Sequence, residues 1–121
     1  PPEYEAIALP QLDTEHSLLQ ALNELFTLPE PPDAIFAYND ATALLVLQCC
    51  AQRGLRVPED VAVVGFDGTE LADMISLTTI EQPSRDIGRK AVDLLLNKIE
   101  NPDAPTERVM MDWRFISRAS T

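Results

Sequence analysis

Basic residues are scarce in this chain: nine Lys and Arg stand against 20 Asp and Glu over 121 residues, a formal charge of -11 at pH 7. A surface of that sign repels a phosphate backbone, so these residues are not themselves expected to form a DNA-binding surface. Glycine is also rare, with four in all, at Gly54, Gly65, Gly68 and Gly88, and their scatter leaves no glycine-rich phosphate loop. No stretch approaches the roughly 20 continuous apolar residues that a membrane span needs. The opening "PPEYEAIALP" has neither the basic region nor the apolar core of a secretory signal, and it reads as mid-protein sequence. There are two cysteines, Cys49 and Cys50, and a disulfide between such neighbours would strain the backbone. With no second Cys/His cluster to supply ligands, no metal site is expected, and the two thiols read as reduced, small hydrophobes of a cytoplasmic protein. The single histidine, His16, lies between Glu15 and Ser17 on the solvent side of an expected helix, which suits a surface residue better than a general base.

What the chain does have is a 45% hydrophobic content in periodic order, enough for one small domain or part of a larger one. "EYEAIAL" predicts a strand, and "DTEHSLLQALNELFTL" a helix capped by Asp13 or Thr14 and ended by Pro29, Pro31 and Pro32. "DAIFAY" suits a strand buried on both faces; "NDATALLVLQCCAQR" suits a helix capped by Asn39 or Asp40 and closed by Gly54. "VAVVGF" is a strand with four β-formers and no polar interruption, "GTELADMISL" one or two helical turns, and "TTIEQ" extended. Pro83 starts "SRDIGRKAVDLLLNKIE", with Ile87, Ala91, Leu94, Leu95 and Ile99 on one face, and "RVMMDWRFIS" is a last extended segment. Strands and helices alternating in this way predict an α/β layer on a mainly parallel sheet.

Ligands of open parallel sheets bind beyond the carboxyl ends of the strands, where backbone donors and loops converge. Asn39 follows "AIFAY" and Asp67 follows "VVGF", so an amide and a carboxylate are expected on one rim. An amide both donates and accepts, and a carboxylate accepts from two hydroxyls at once, a pairing that suits a sugar. Asn and Asp also cap helices at such junctions, so position alone leaves both roles open.

"FDGTEL" resembles the phosphotransferase motif of haloacid dehalogenase-like hydrolases, but that chemistry needs a nucleophilic aspartate where this chain has Gly65. No catalytic residue and no cofactor are therefore expected.

From about Pro32 to Thr121 the sequence resembles the C-terminal effector-binding region of LacI/GalR-type transcriptional repressors. The likeness rests on "AIFAYND", "RGLRVPEDVAVVGFD", "LTTIEQP", "IGRKAVDLLL" and "RAST", in order and at suitable intervals. It implies a three-layer, parallel-sheet subdomain of a periplasmic-binding-protein-like fold, joined to the crossover helix and strand of a partner subdomain. On that reading 1–81 and 114–121 form the C-terminal subdomain, while 82–113 belong to the N-terminal one. The resemblance implies a small-molecule effector, in most members a sugar, bound between the subdomains. It also implies a homodimer that meets operator DNA only through an N-terminal helix-turn-helix domain absent from these residues, and no membrane. A periplasmic sugar-binding protein of an uptake system is the alternative.

Residue by residue, the resemblance makes Asn39, Asp67 and Gln82 ligand contacts, and brings Asp13 near a position where some members place an aromatic ring. Gly68 replaces the commoner second acid of the "GFD" motif. Ala43, Leu44, Leu47, Met74 and Ile75 match the dimer surface, against the alternative that leucines at helical spacing face their own sheet. The resemblance also leaves the apolar face of 84–100 without its partner subdomain, so the isolated chain is expected to hide it by re-docking, strand exchange or association. Light scattering on the isolated chain checks this: a strictly monomeric state with the helix exposed contradicts it.

Overall fold

The computed structural model describes residues 14–121. In chain order the elements are α1 (Glu15–Leu25), β1 (Ala34–Phe36), α2 (Asp40–Gln52), β2 (Ala62–Asp67), α3 (Glu70–Met74), β3 (Thr78–Glu81), α4 (Ser84–Glu100) and β4 (Arg114–Ile116). The strand expected over "EYEAIAL" lies outside the described residues. The four strands form one sheet in the order β1-β2-β3-β4. β1, β2 and β3 run parallel and β4 closes the edge antiparallel, which matches the α/β alternation read from the sequence.

Local chemistry sets the element ends. Thr14 caps α1, its hydroxyl oxygen accepting from the Ser17 N–H at 3.1 Å. Asn39 caps α2 in the same way, accepting from the Thr42 N–H at 2.7 Å. Gly54, just past the last turn of α2, takes the left-handed conformation that glycine adopts without a Cβ penalty, at φ +70°.

Among the described residues the hydrophobic core lies on one side of the sheet. α2 packs on β2, α1 packs on α2, and α3 reaches the same helix. Leu22, Ala43, Val46, Cys49, Cys50, Val61, Val63, Ala72 and Leu77 make one continuous core there. A side chain such as Leu22, removed completely from water, contributes about 1.5–3 kcal/mol by transfer. The cysteines belong to this core as free thiols, and burial pushes the Cys50 thiol up from its ordinary range, with the neighbouring Cys49 adding to the shift.

The other side differs from expectation. β1 was expected to be buried on both faces, but Phe36 is 61% exposed and Ala34 is also exposed. Strand alternation puts Phe36, Val64, Phe66, Ile80 and Phe115 on this second face, where no described helix covers the sheet. Of the three layers expected, two are present among the described residues.

The C-terminal segment "RAST" is threaded across the amino ends of β2 and β3. The buried Ser120 hydroxyl donates to the Val63 carbonyl at 2.6 Å and accepts from the Thr78 N–H at 2.8 Å, and the Val63 N–H donates to the Ser120 carbonyl at 2.8 Å. Arg118 donates through its guanidinium to the Leu77 carbonyl at 2.6 Å and pairs with Asp73. Nine tenths or more of buried backbone groups in folded proteins find such partners, and here a chain end supplies them.

A Cβ added at Gly65 would lie 2.4 Å from the Asp40 Oδ1 and 2.8 Å from the Leu77 Cδ2, so Gly65→Ala should lose about 1–3 kcal/mol in chemical denaturation. Gly88→Ala, where nothing lies within 4 Å, should lose nothing and should raise helicity by circular dichroism. In the turn before β2, the Arg56 guanidinium and then its backbone N–H hold the Asp60 carboxyl at about 2, below its ordinary 3.8. A depressed folded-state value means that the stabilisation is complete above the ordinary carboxylate range and is lost as pH falls towards about 2. Carboxyl-carbon NMR titration should find that low midpoint, and Arg56→Ala should move it up towards 3.8.

Candidate ligand-binding site

Three parallel strands end on one rim, and a polar side chain stands at or shortly beyond each end, three residues on in the case of β1. β2 delivers Asp67 and β3 delivers Gln82, one residue past its end; the register pairs Asp67 with Glu81, so the two neighbours leave the sheet side by side. There the Gln82 Nε2 donates to the Asp67 Oδ1 at 3.1 Å. Asp67 has φ 104° and Gly68 φ +70°, so the chain turns sharply as it leaves β2, through backbone conformations that cost a non-glycine residue energy. A Cβ at Gly68 would lie 2.5 Å from the Glu81 Cβ, so glycine, not a second acid, fits this turn. Glu81 in turn pairs with Arg114, its register partner on β4.

The rim takes Asn39 from the end of β1. Its Oδ1 is committed to capping α2, which leaves the side-chain amide nitrogen to donate outward. Capping therefore uses only one of the two polar atoms of this side chain. Beside it, Tyr38 is 72% exposed, and Phe36 meets Phe66 edge to face with ring centroids 6.3 Å apart. Asp13 lies outside the described residues.

A fourth polar group was read from sequence only as a possible helix cap. Asp40, the first residue of α2, is only 1% exposed, and three donors converge on its carboxylate. The Thr69 N–H and hydroxyl reach Oδ2 at 2.7 and 2.8 Å, and the Thr79 hydroxyl reaches Oδ1 at 2.6 Å. The Thr79 oxygen also accepts from the Gly68 N–H at 3.3 Å. Thr69 is the N-cap of α3 yet makes no side-chain cap bond within that helix, because its hydroxyl is given to Asp40. An acid in a helix's first turn usually reads as a dipole partner facing water. The available signal was Gly65 in an otherwise β-branched and aromatic strand, an interior glycine that marks close approach of another group.

Other expected positions separate. His16 is exposed, as read from sequence, and lines an open depression with Gln20, Asn23, Glu24 and Arg53 on the α1 side, not on the rim. Arg53 there is occupied, donating to the Asn23 Oδ1 at 2.7 Å and lying over the Phe26 ring. Of the five positions matched to a dimer surface, Ala43 requires correction. It is 0% exposed and packs in this chain's own core, because at that turn of α2 the apolar stripe faces the sheet. Leu44, Leu47 and Ile75 are half-buried and Met74 is 82% exposed. Among the described residues no group of three or more His, Cys, Asp and Glu side chains could hold a metal ion, and no helix is long and apolar enough to cross a membrane.

A carboxylate and two amides thus lie beyond the carboxyl ends of parallel strands, where open α/β sheets bind small molecules, and these groups can accept from and donate to hydroxyls. The match to known proteins agrees in class: residues 2–121 fit the periplasmic binding protein-like domain family, and the chain belongs to it. Its relatives are LacI-type regulators. It is 39% identical over 104 residues to the HTH-type transcriptional repressor CytR of Escherichia coli K12, covering 84% of this chain and 30% of that protein. A LacI-type putative transcriptional regulator from Bacillus cereus superposes with a TM-score of 0.83 at 29% identity, over 89% of this chain and 39% of that one. A LacI family regulator from Enterococcus faecium with bound ribose gives 0.79 at 30% identity, over 93% of this chain and 42% of that one. The chain thus spans about 30% of the length of the curated relatives it matches.

Proposed function

We propose that this chain is part of the effector-sensing, dimerising region of a LacI-type transcriptional regulator, and that it contributes half of a sugar site. The observation that carries the reading is the Asp67–Gln82 pair at 3.1 Å on the strand-end rim next to Asn39, in a chain whose relatives are repressors and one of whose structural neighbours holds ribose. A carboxylate already accepting one N–H keeps lone pairs for two sugar hydroxyls, and the Asn39 amide nitrogen can donate to a third oxygen. Relatives that are DNA-binding repressors favour this over the uptake-protein alternative and suit a cytoplasmic location.

In this reading residues 1–81 and 114–121 form one subdomain and 82–113 belong to another. Support comes from α4, which buries no residue and leaves Val92, Leu95, Leu96 and Ile99 exposed, and from β4, which rejoins the sheet of β1–β3. Ligand closing between the two subdomains shifts their relative orientation. Through a homodimer built partly on Leu44, Leu47, Met74 and Ile75, that shift biases operator binding by a domain outside these residues. No bond is made or broken: Gly65 stands where a phosphotransferase nucleophile would be, and a side chain there would collide with Asp40.

Titration calorimetry on the longer protein that contains this chain, with ribose first and then a panel of pentoses, hexoses and disaccharides, tests the reading. The sugar that binds should lose at least about 100-fold in affinity with Asp67→Ala, the effect of losing charge-assisted bonds to two hydroxyls. Unchanged affinity in that variant refutes the assignment.

A further inference from the structure

Asp40 is the buried titratable group that the proposed binding reaction leaves unused, and its partners give it a specific mechanical role. Its two oxygens hold elements that are far apart in sequence: Thr69, 29 residues on, at the start of α3, and Thr79, 39 residues on, inside β3. Immediately before the first anchor, and bonded to the second, lies the turn that carries Asp67. Gly68 donates to the Thr79 oxygen, which itself donates to Asp40, and Thr69 is gripped through both its N–H and its hydroxyl. The two residues of that turn, Asp67 and Gly68, both have positive φ, and Asp67 bears a Cβ. A conformation of that kind persists only where its surroundings over-determine it. The Asp40 network supplies three of the bonds that do so, and the carboxylate sits over Gly65, the only residue type that leaves room for it.

We propose that Asp40 is a positioning residue for the effector site: it touches no ligand, and through Thr69 and Thr79 it locks the 67–69 turn so that the Asp67 carboxylate faces Gln82 and the open rim. Because Asp40 is also the first residue of α2, the lock ties that turn rigidly to the helix bearing Leu44 and Leu47. The part concerning affinity rests on the reading of Asp67 as a ligand contact; the locked turn does not.

The test uses Thr79→Val, which keeps the shape of the side chain and deletes the hydroxyl, Thr79→Ser, which restores it, and Asp40→Asn as a second probe of the same network. Amide hydrogen exchange by NMR on this chain reads the turn directly. With Thr79→Val the Gly68 and Thr69 amides should exchange at least about tenfold faster, while protected amides of β2 and of the α2 interior stay within about twofold; Thr79→Ser should return both to the original rate. Asp40→Asn, keeping one acceptor oxygen, should accelerate the same two amides. Unchanged exchange at Gly68 and Thr69 in Thr79→Val overturns the proposal, as does uniform acceleration across the chain, which would make the network a general stabiliser only. Calorimetry with ribose and the sugar panel on the longer protein forms the second arm. A bound sugar should lose at least about tenfold in affinity with Thr79→Val and regain it with Thr79→Ser, and full affinity despite a loosened turn overturns the positioning role. If no sugar binds the unmodified protein, the functional reading falls while the exchange arm still decides whether Asp40 locks the turn.

Discussion

A single carboxylate, removed almost completely from water at the first residue of α2, draws together two other elements at the carboxyl end of the sheet. An unpaired charge in such a place is costly by several kcal/mol even after relaxation, so Asp40 is tolerable only with its donors in position. They come from two other elements, Thr69 at the start of α3 and Thr79 inside β3. Meeting that requirement fixes how the β1–α2 junction, the β2–α3 turn and β3 sit against one another. It also dictates glycine at position 65, where any Cβ would occupy the space of the carboxylate. The rim that presents Asn39, Asp67 and Gln82 follows from this constraint.

The opposite end of the sheet is held by different means. Ser120 and Arg118 supply side-chain and backbone bonds to β2, β3 and the end of α3, so the last residues act as a clasp across strands whose amino ends would otherwise lack partners. The apolar material is distributed unevenly between these two polar ends. Among the described residues one face of the sheet carries the hydrophobic core, and the other presents Phe36 and Phe115 to solvent, as α4 presents its own apolar stripe. Among the described residues, a chain that spans about 30% of its relatives' length combines a packed interior with exposed apolar faces, and the hydrophobic effect gives those faces a strong tendency to be covered.

The alternation of elements was legible because each rests on local rules. The helix caps Thr14 and Asn39, the left-handed Gly54 and the β-formers of β2 are all short-range signals, and each appears where the pattern put it. The strand-end position of Asp67 was legible for the same reason. Gln82 was not, since its approach to Asp67 depends on how β3 registers with β2; only the resemblance supplied it. Ala43 shows the opposite failure. An α2 that is apolar nearly all round gives no sign of which alanine or leucine faces the sheet, and packing put Ala43 inside.

The sequence alone determined the α/β class, the order and ends of the elements and the two polar groups delivered by β1 and β2, because caps, turns and strand propensity act over a few residues. Only the tertiary structure decided that Asp40, and not the more visible Asp67, is the buried acid; that Gly65 is there to make room for it; and that Asp67 bonds to Gln82. Those facts depend on contacts between residues 15 to 39 apart in the chain, and no local signal specifies which distant hydroxyl or amide will arrive beside a given carboxylate.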